Sequence, residues 1–252
     1  MKKSCVLFLL FIWTGVQAQP DFISLQEEWL HTVKAGESTS DFYWSEKNLI
    51  YSKINTENTE ALTQFTQSKK LSSLQKYHHF SSFRHDDLRY VTTGQLLTES
   101  DSLLILTGWR DVDRSWKKEI DIILTQKSNT TEVSKKINQI LNEERLEWVK
   151  LANKHNPEAH IKATYTKDAT YFGNGQKSEG WQEIAERYFY MENPNYQVDL
   201  EKEQLWKLSD EHILEIGRYF TGSERVGTGG IYVILWQKQH DESWLIELDF
   251  NF

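Results

Sequence analysis

The sequence predicts an α+β protein built from two tandem units, and three observations support this prediction. The chain has 252 residues, which is enough for two domains of ordinary size. Residues 231–238, IYVILWQK, agree with residues 120–127, IDIILTQK, at five of eight positions. In the second half, segments with helical periodicity come first and strand-like segments follow, and this segregation is typical of α+β folds.

Residues 1–18 have the pattern of a secretory leader. Lys2 and Lys3 precede an apolar run from Cys5 to Trp13, and the segment ends in the small-residue pattern Val-Gln-Ala. The apolar run is shorter than the roughly 20 residues that a membrane span needs. We therefore expect cleavage before Gln19 and an extracytoplasmic protein, periplasmic or secreted, that has no membrane attachment afterwards.

Cysteine content and charge exclude several functional classes. Cys5 is the only cysteine, so a cleaved chain has none, which excludes disulfides, thiolate metal sites and cysteine nucleophiles. The net charge is −8, and loss of the two leader lysines makes it −10. Nucleic acids and anionic membranes bind basic surfaces, so this acidity disfavours both as partners.

Two further pairs of segments extend the apparent repeat. Residues 48–51 parallel residues 168–171, and residues 95–108 parallel residues 204–217, in the same order along the chain. An ordered set of matches indicates duplication. It predicts that Ile120–Gln126 and Ile231–Gln237 are equivalent strands. The boundaries that follow are a leader at 1–18, an N-terminal domain at 19–133 and a C-terminal domain at 134–252.

The elements of the second half can be assigned in order. Apolar residues recur at helical spacing in residues 137–153, which predicts an amphipathic helix. Pro157 begins a second, short helix, and residues 180–191 read as a third. Four alternating segments then form an antiparallel meander, at 196–209, 212–222, 230–239 and 243–252. The first half begins with a helix at 22–33 and keeps the same outline, but its final strand is doubtful.

Three motifs of the second half resemble the nuclear transport factor 2-like superfamily. They are YTKDATYFGNGQKSEGWQEIAERY (165–188), LEIGRYF (214–220) and residues 229–251. The resemblance is to its SnoaL-like and ketosteroid-isomerase-like branch, especially the group called domain of unknown function 4440. It covers about 115 residues and extends more weakly to the first half through the repeat.

The resemblance implies a fold and an arrangement of the two halves. The expected fold is two tandem cone-shaped domains, each a curved antiparallel sheet wrapped around about three helices, with a pocket in the wide mouth. It further implies that the two cones pair within one chain through their sheets, as single-cone relatives do by dimerising. Formation of a homodimer of the whole chain is left open.

The same resemblance argues against ketosteroid isomerase activity. Those enzymes use an Asp base and an oxyanion site made of a Tyr and a protonated Asp. The resemblance puts Gly173, Trp148 and Tyr232 at these three positions. Glycine cannot abstract a proton, so we expect no isomerisation of a β,γ-unsaturated ketosteroid, although Tyr232 could still donate a hydrogen bond.

Strand alternation selects other candidates for the site. Residues two apart share a face, which groups Glu247 with Asp249 and Tyr232 with Trp236. If these faces line the cone, carboxylates lie among aromatic rings and can act as general acid and base. The catalytic candidates are Asp249, Glu215 and Tyr232, and Asp249 is expected to bond to Tyr232 or to share a proton with Glu215. The ligand-binding candidates are Trp148, Tyr165, Tyr219, Tyr232, Trp236, Glu215, Glu247 and Asp249. Alternatively, the carboxylates face solvent or the neighbouring unit, and the aromatic residues, Tyr188 included, are core.

One cluster of potential metal ligands stands out, at His78, His79, His85, Asp86 and Asp87. Its spacing lacks the helical i, i+4 histidine pair of many zinc sites. We interpret it as a solvated loop and predict neither a metal nor a cofactor.

The sequence is compatible with three functional interpretations. The first is an exported protein that binds a small, partly apolar molecule in the C-terminal pocket, without catalysis. The second is a small-molecule hydrolase, dehydratase or isomerase that uses the pocket carboxylates. The third is a protein-interaction module that uses the outer sheet face. We favour the first.

Overall fold

The computed structural model describes most of the chain outside the leader-like segment. The described residues are 20–45, 48–54, 57–59, 74–98, 102–126 and 132–252. Residues 1–18 lie outside these ranges, so the secretory leader stays a prediction. Within the ranges given, no helix is long and apolar enough to cross a membrane.

In the described structure the N-terminal half contributes one α-helix and six strands, and the C-terminal half contributes three α-helices and six strands. The N-terminal unit, defined here as the described residues of 20–126, contains α1 (Phe22–Ala35), β1 (Leu49–Ile54), β2 (Glu57–Thr59), β3 (Lys76–Arg84), β4 (Arg89–Leu97), β5 (Ser102–Val112) and β6 (Ser115–Thr125). The C-terminal unit, defined as residues 132–252, contains α2 (Lys135–Ala152), α3 (Pro157–Thr164), β7 (Tyr165–Gly173), β8 (Gln176–Glu179), α4 (Gly180–Arg187), β9 (Val198–Lys207), β10 (His212–Thr221), β11 (Gly229–Lys238) and β12 (Trp244–Asn251).

Local sequence explains where the helices begin and end. The Ser134 side chain accepts a hydrogen bond from the Ile137 N–H at the start of α2, and Asn156 does the same for Ala159 in α3. Pro157 occupies the first turn of α3, where its missing N–H costs no helical bond. The three helices predicted for the second half are therefore confirmed.

The two sheets have the same strand order. One runs β2-β1-β6-β5-β4-β3 and the other β8-β7-β12-β11-β10-β9. Both sheets are mixed, because β1 pairs with β6 and β7 with β12 in parallel. The other neighbouring strands pair in the antiparallel way that the sequence predicted. A tight hairpin forces neighbouring strands to be antiparallel, whereas β7 and β12 are separated by a helix and the whole meander.

The predicted register of the repeat is wrong by one strand. The segment from Ile120 belongs to β6, the counterpart of β12, whereas Ile231–Gln237 lies in β11, the counterpart of β5. Residues 95–108 and 204–217 are offset in the same way. Buried strands share a small set of β-branched and aliphatic residues, so a short match does not identify which strand is matched. The sequence alone leaves the last strand of the first half in doubt. That last strand is β6, which contains the segment IDIILT.

Strand pairing supplies the residue equivalences that the repeat did not. Lys118 pairs with Trp109 and Ile120 with Gly108, which leaves Glu119 as the extra residue of a β-bulge. In the other sheet Ile246 pairs with Trp236 and Leu248 with Leu235, which leaves Glu247 in the same role. By this register the equivalent pairs are Trp109 with Trp236, Lys118 with Ile246, and Asp121 with Asp249.

The outer faces of the two sheets pack against each other in one buried cluster. It contains Leu106 and Ile122 from the first sheet and Val233 and Phe250 from the second, each fully buried. The opposite face of each sheet belongs to a separate cluster that includes residues from the helices of its own unit. The two units therefore share a hydrophobic layer, and each keeps an interior of its own.

Because this layer is shared, we expect the two units to unfold together. Leu106→Ala and Leu248→Ala each remove a fully buried side chain of the layer and should each cost about 2–5 kcal/mol of unfolding free energy. Leu146→Ala, at a position 66% exposed on α2, serves as the control and should cost less than about 0.5 kcal/mol. Calorimetry should show a single transition that shifts in both layer variants. The shared layer would be contradicted if calorimetry showed two transitions and each variant lowered the temperature of only one of them.

Candidate functional site

A cavity of about 770 Å³ opens in the C-terminal unit, on the inner face of the second sheet. Its walls are rich in aromatic side chains, contributed by Trp148, Tyr171, Tyr188, Tyr190, Tyr196, Tyr219, Tyr232 and Phe252. Among the described residues that line it, Asp249 is the only acid and Arg187 the only base. The cavity is thus an aromatic chamber with one buried carboxylate.

Asp249 is held by two tyrosines, of which Tyr188 lines the cavity and Tyr165 lies behind its wall. The hydroxyls of Tyr165, at the start of β7, and Tyr188, just after α4, both donate to Asp249 Oδ2 at 2.6 Å. Burial raises the pKa of both tyrosines well above the usual value, so they stay protonated as donors. Asp249 Oδ1 has no hydrogen-bond donor in the part of the chain that the structure describes. Both of the tyrosine hydrogen bonds therefore fall on one oxygen of the carboxylate.

Burial also changes the acidity of Asp249. Its side chain is almost fully buried, and desolvation raises its pKa to about 6, although the two tyrosine hydrogen bonds oppose this rise. The carboxylate therefore takes up a proton close to neutral pH. Tyr232, the partner expected from sequence, does not contact Asp249: its hydroxyl donates to Glu215 instead.

Glu215 has a different environment and does not line the cavity. Its two oxygens accept from Arg145 Nε at 2.6 Å and Nη2 at 3.0 Å, from the Tyr232 hydroxyl at 2.6 Å and from Trp236 Nε1 at 2.9 Å. Arg145 comes from α2, so this cluster joins the helix to β10 and β11. Arg145 compensates the negative charge of Glu215, and both Glu215 oxygens accept hydrogen bonds from neighbouring side chains. The expected proton sharing between Glu215 and Asp249 does not occur.

Glu247 lies on the opposite face of its strand from Asp249. The sequence predicted a shared face, but the bulge inserts Glu247 as an extra residue and breaks the alternation. Its Oε1 accepts from the Tyr51 hydroxyl of the other unit at 3.1 Å, and Oε2 lies 3.2 Å from His212 Nε2. Glu247 therefore belongs to the contact between the units and not to the cavity.

The structure brings together about half of the residues selected from sequence. Trp148, Tyr219, Tyr232 and Asp249 line the cavity, Tyr165 supports Asp249 from behind, and Trp236, Glu215 and Glu247 lie elsewhere. Sequence reasoning missed the role of Tyr188 and the pairing of Arg145. One signal was available: five of the eleven tyrosines fall between residues 165 and 196.

The histidine cluster is only in part the solvated loop expected from sequence, because Asp86 and Asp87 lie exposed in the turn between β3 and β4 but the histidines at 78 and 79 lie outside that turn. His78 and His79 lie on β3, and His79 contacts the hydroxyls of Tyr77 and Ser82 through its two ring nitrogens. His85 stacks on the Phe252 ring of the other unit, with 5.4 Å between ring centres. No group of three or more His, Cys, Asp or Glu among the described residues is arranged to hold a metal ion.

Comparison with known proteins gives matches of fold. No protein-family model and no curated protein sequence matches the chain. An NTF-2 like protein of unknown function from Shewanella oneidensis is 20% identical, and the match covers 46% of this chain and 94% of that one, with a TM-score of 0.37. A ketosteroid isomerase-like protein from Erwinia carotovora atroseptica is 17% identical, over 47% and 96%, with a TM-score of 0.38.

A third solved structure is a domain of unknown function with a cystatin-like fold from Nostoc punctiforme. It is 15% identical, and the match covers 47% of this chain and 78% of that one, with a TM-score of 0.40. Each match spans roughly the length of one unit. Similarity of this degree concerns the fold alone.

The raised pKa of Asp249 predicts a pH-dependent gain in stability for Asp249→Asn. The unfolded carboxyl has a pKa near 3.8 and the folded one near 6, so its contribution to stability falls as the pH rises from 3.8 to 6 and stays low above it. The difference corresponds to on the order of 3 kcal/mol. Asn keeps an oxygen for both tyrosines, so the variant should melt higher than the natural protein at pH 7.5, with a gain that shrinks toward pH 4.

The control for this experiment is Asp168→Asn, which removes a carboxylate at an exposed position of β7. It should change the melting temperature little at either pH. Equal melting of Asp249→Asn and the natural protein at every pH would show that burial of this carboxylate carries no penalty.

The Glu215 cluster predicts a large loss on charge removal. Glu215→Gln leaves the guanidinium of Arg145 buried without a counter-charge, which typically costs about 3–5 kcal/mol. Glu203→Gln breaks the partly exposed pair with Arg218 and should cost at most about 1 kcal/mol. Urea unfolding at pH 7.5 compares the two. Similar losses in both variants would mean that Arg145 finds water or another partner.

Proposed function

We propose that the protein is exported and binds a small, partly apolar molecule in the C-terminal cavity, beside Asp249. The observation that carries this proposal is the cavity itself. Its volume of about 770 Å³ falls within the roughly 300–1,000 Å³ of small-molecule sites. Aromatic walls suit an apolar body, and the free oxygen of Asp249 suits one polar group.

The other interpretations lose support on specific geometry. A mechanism with two carboxylates needs a second acid beside Asp249, but Glu215 is saturated by Arg145 and its neighbours. An interaction module that uses the outer sheet face needs that face exposed, but the two outer faces bury each other.

One form of catalysis has an observation in its favour. Asp249 has a pKa of about 6 and a free oxygen, which are the properties of a general base that acts near neutral pH. Proton transfer by this single carboxylate is therefore the second candidate function. It requires the same bound molecule, so binding is the first property to test.

Filling the cavity should weaken the binding of a neutral apolar probe. Leu200 lines the cavity from β9, and Leu200→Trp adds an indole to this space. We expect Nile red to bind the natural protein with increased fluorescence and to bind Leu200→Trp at least tenfold more weakly. The matched control is Leu146→Trp, which adds the same ring at an exposed position of α2.

Melting temperatures of both variants would confirm that they are folded. Equal affinity of Nile red for the natural protein and the two variants would place the dye elsewhere. That outcome, or no binding to the natural protein, would refute the proposed site.

A further inference from the structure

In the N-terminal unit, the side-chain ammonium group of Lys118 is surrounded by a carboxylate and aromatic rings. Lys118 Nζ lies 2.9 Å from Asp121 Oδ2, and neither side chain is exposed. The same nitrogen lies 3.7 Å from the ring centre of Trp29, 5.5 Å from that of Trp109 and 5.6 Å from that of Tyr43. This is a cation held by ion pairing and cation–π attraction together.

Asp121 is fully satisfied in this arrangement. The Tyr43 hydroxyl also donates to Oδ2, at 2.5 Å, and the Thr107 hydroxyl donates to Oδ1, at 2.5 Å. Burial lowers the pKa of Lys118 to about 8, although Asp121 opposes this change, so the ammonium form prevails at neutral pH. The buried carboxylate of the N-terminal unit thus has a tyrosine hydroxyl, a threonine hydroxyl and a cation as its partners.

Asp249 occupies the same place in the second sheet and keeps part of this environment. It lies two residues beyond the bulge residue, as Asp121 does, and it also accepts from tyrosine hydroxyls. Trp148 on the first helix of its unit lines the cavity, as Trp29 on α1 faces the Lys118 ammonium. The carboxylate, the hydroxyl donors and the aromatic rings are all present in both units.

The cation is the part that differs. Ile246 stands at the position of Lys118, and throughout the described ranges no Lys, Arg or His forms an ion pair with Asp249. An open cavity adjoins Asp249. A cationic ligand could therefore take the position that the lysine head group fills in the other unit.

We propose that the molecule bound in the C-terminal cavity carries a primary ammonium group, which donates to Asp249 Oδ1 while its apolar part packs among the aromatic walls. This inference rests on the proposed function, because it specifies the chemistry of the same ligand. The net negative charge of the chain also favours the approach of a cation.

Three indole compounds with the same ring and linker test this inference. Tryptamine carries an ammonium group, tryptophol a neutral hydroxyl and indole-3-propionate a carboxylate. Displacement of Nile red at pH 7.5 would measure their affinities for the natural protein. We expect tryptamine to bind about tenfold or more tightly than tryptophol, as for a hydrogen bond to a charged group, and indole-3-propionate to bind weakest.

Two variants, each with a matched control, test whether Asp249 causes the preference for tryptamine over tryptophol. Asp249→Asn should remove most of the advantage of tryptamine over tryptophol, whereas the exposed Asp168→Asn should retain it. Ile246→Lys should place an ammonium beside Asp249 as Lys118 does beside Asp121, and so prevent tryptamine binding. Ile246→Met has a similar length without the charge and should bind tryptamine. Melting curves would verify folding, and Asp249→Asn still decides the question if Ile246→Lys does not fold.

The outcomes separate the two proposals. If Nile red binds in the cavity but tryptamine shows no preference over tryptophol, the ammonium inference is wrong and the binding function stands. A preference that Asp249→Asn retains would also overturn the inference. If neither Nile red nor any of the three indoles binds, the proposed function fails, and the inference fails with it.

Discussion

The packing of one sheet on the other is the interaction on which the rest of the structure depends. An amphipathic sheet must bury its apolar face, and here the outer faces of the two sheets bury each other in one layer. The inner faces are then free to enclose helices and, in the C-terminal unit, a cavity. This layer also brings Tyr51 of one unit to Glu247 of the other, so a polar contact accompanies the apolar one.

Three buried carboxylates on the inner faces show how the fold satisfies charge away from water. Asp121 takes an ammonium from its own strand, and Glu215 takes a guanidinium from α2. Asp249 takes only two tyrosine hydroxyls on one oxygen. Since an uncompensated buried charge is costly, Asp249 is the carboxylate of the three whose burial the fold compensates least.

The sequence predicted the class of fold and the helices because these depend on periodicity and capping residues, which are local. It predicted the repeat in the wrong register because IDIILT and IYVILW both satisfy a buried strand, and only strand order distinguishes β6 from β11. Glu247 was placed on the wrong face because a bulge arises from pairing and leaves no sign in the alternation of one strand. Arg145 could not be joined to Glu215, since 70 residues separate them in the chain.

The interiors of the two units satisfy their equivalent carboxylates differently. Both oxygens of Asp121 in the N-terminal interior accept hydrogen bonds, and Lys118 packs between this carboxylate and Trp29. The space beside the carboxylate is therefore filled by the protein's own side chain. The C-terminal interior carries a desolvated carboxylate whose ionisation opposes folding near neutral pH. The shared apolar layer offsets such a cost, because both sheets contribute to it and neither could bury that face alone. A duplicated architecture can therefore tolerate a destabilising site in one unit while the other supplies the surface that holds it folded.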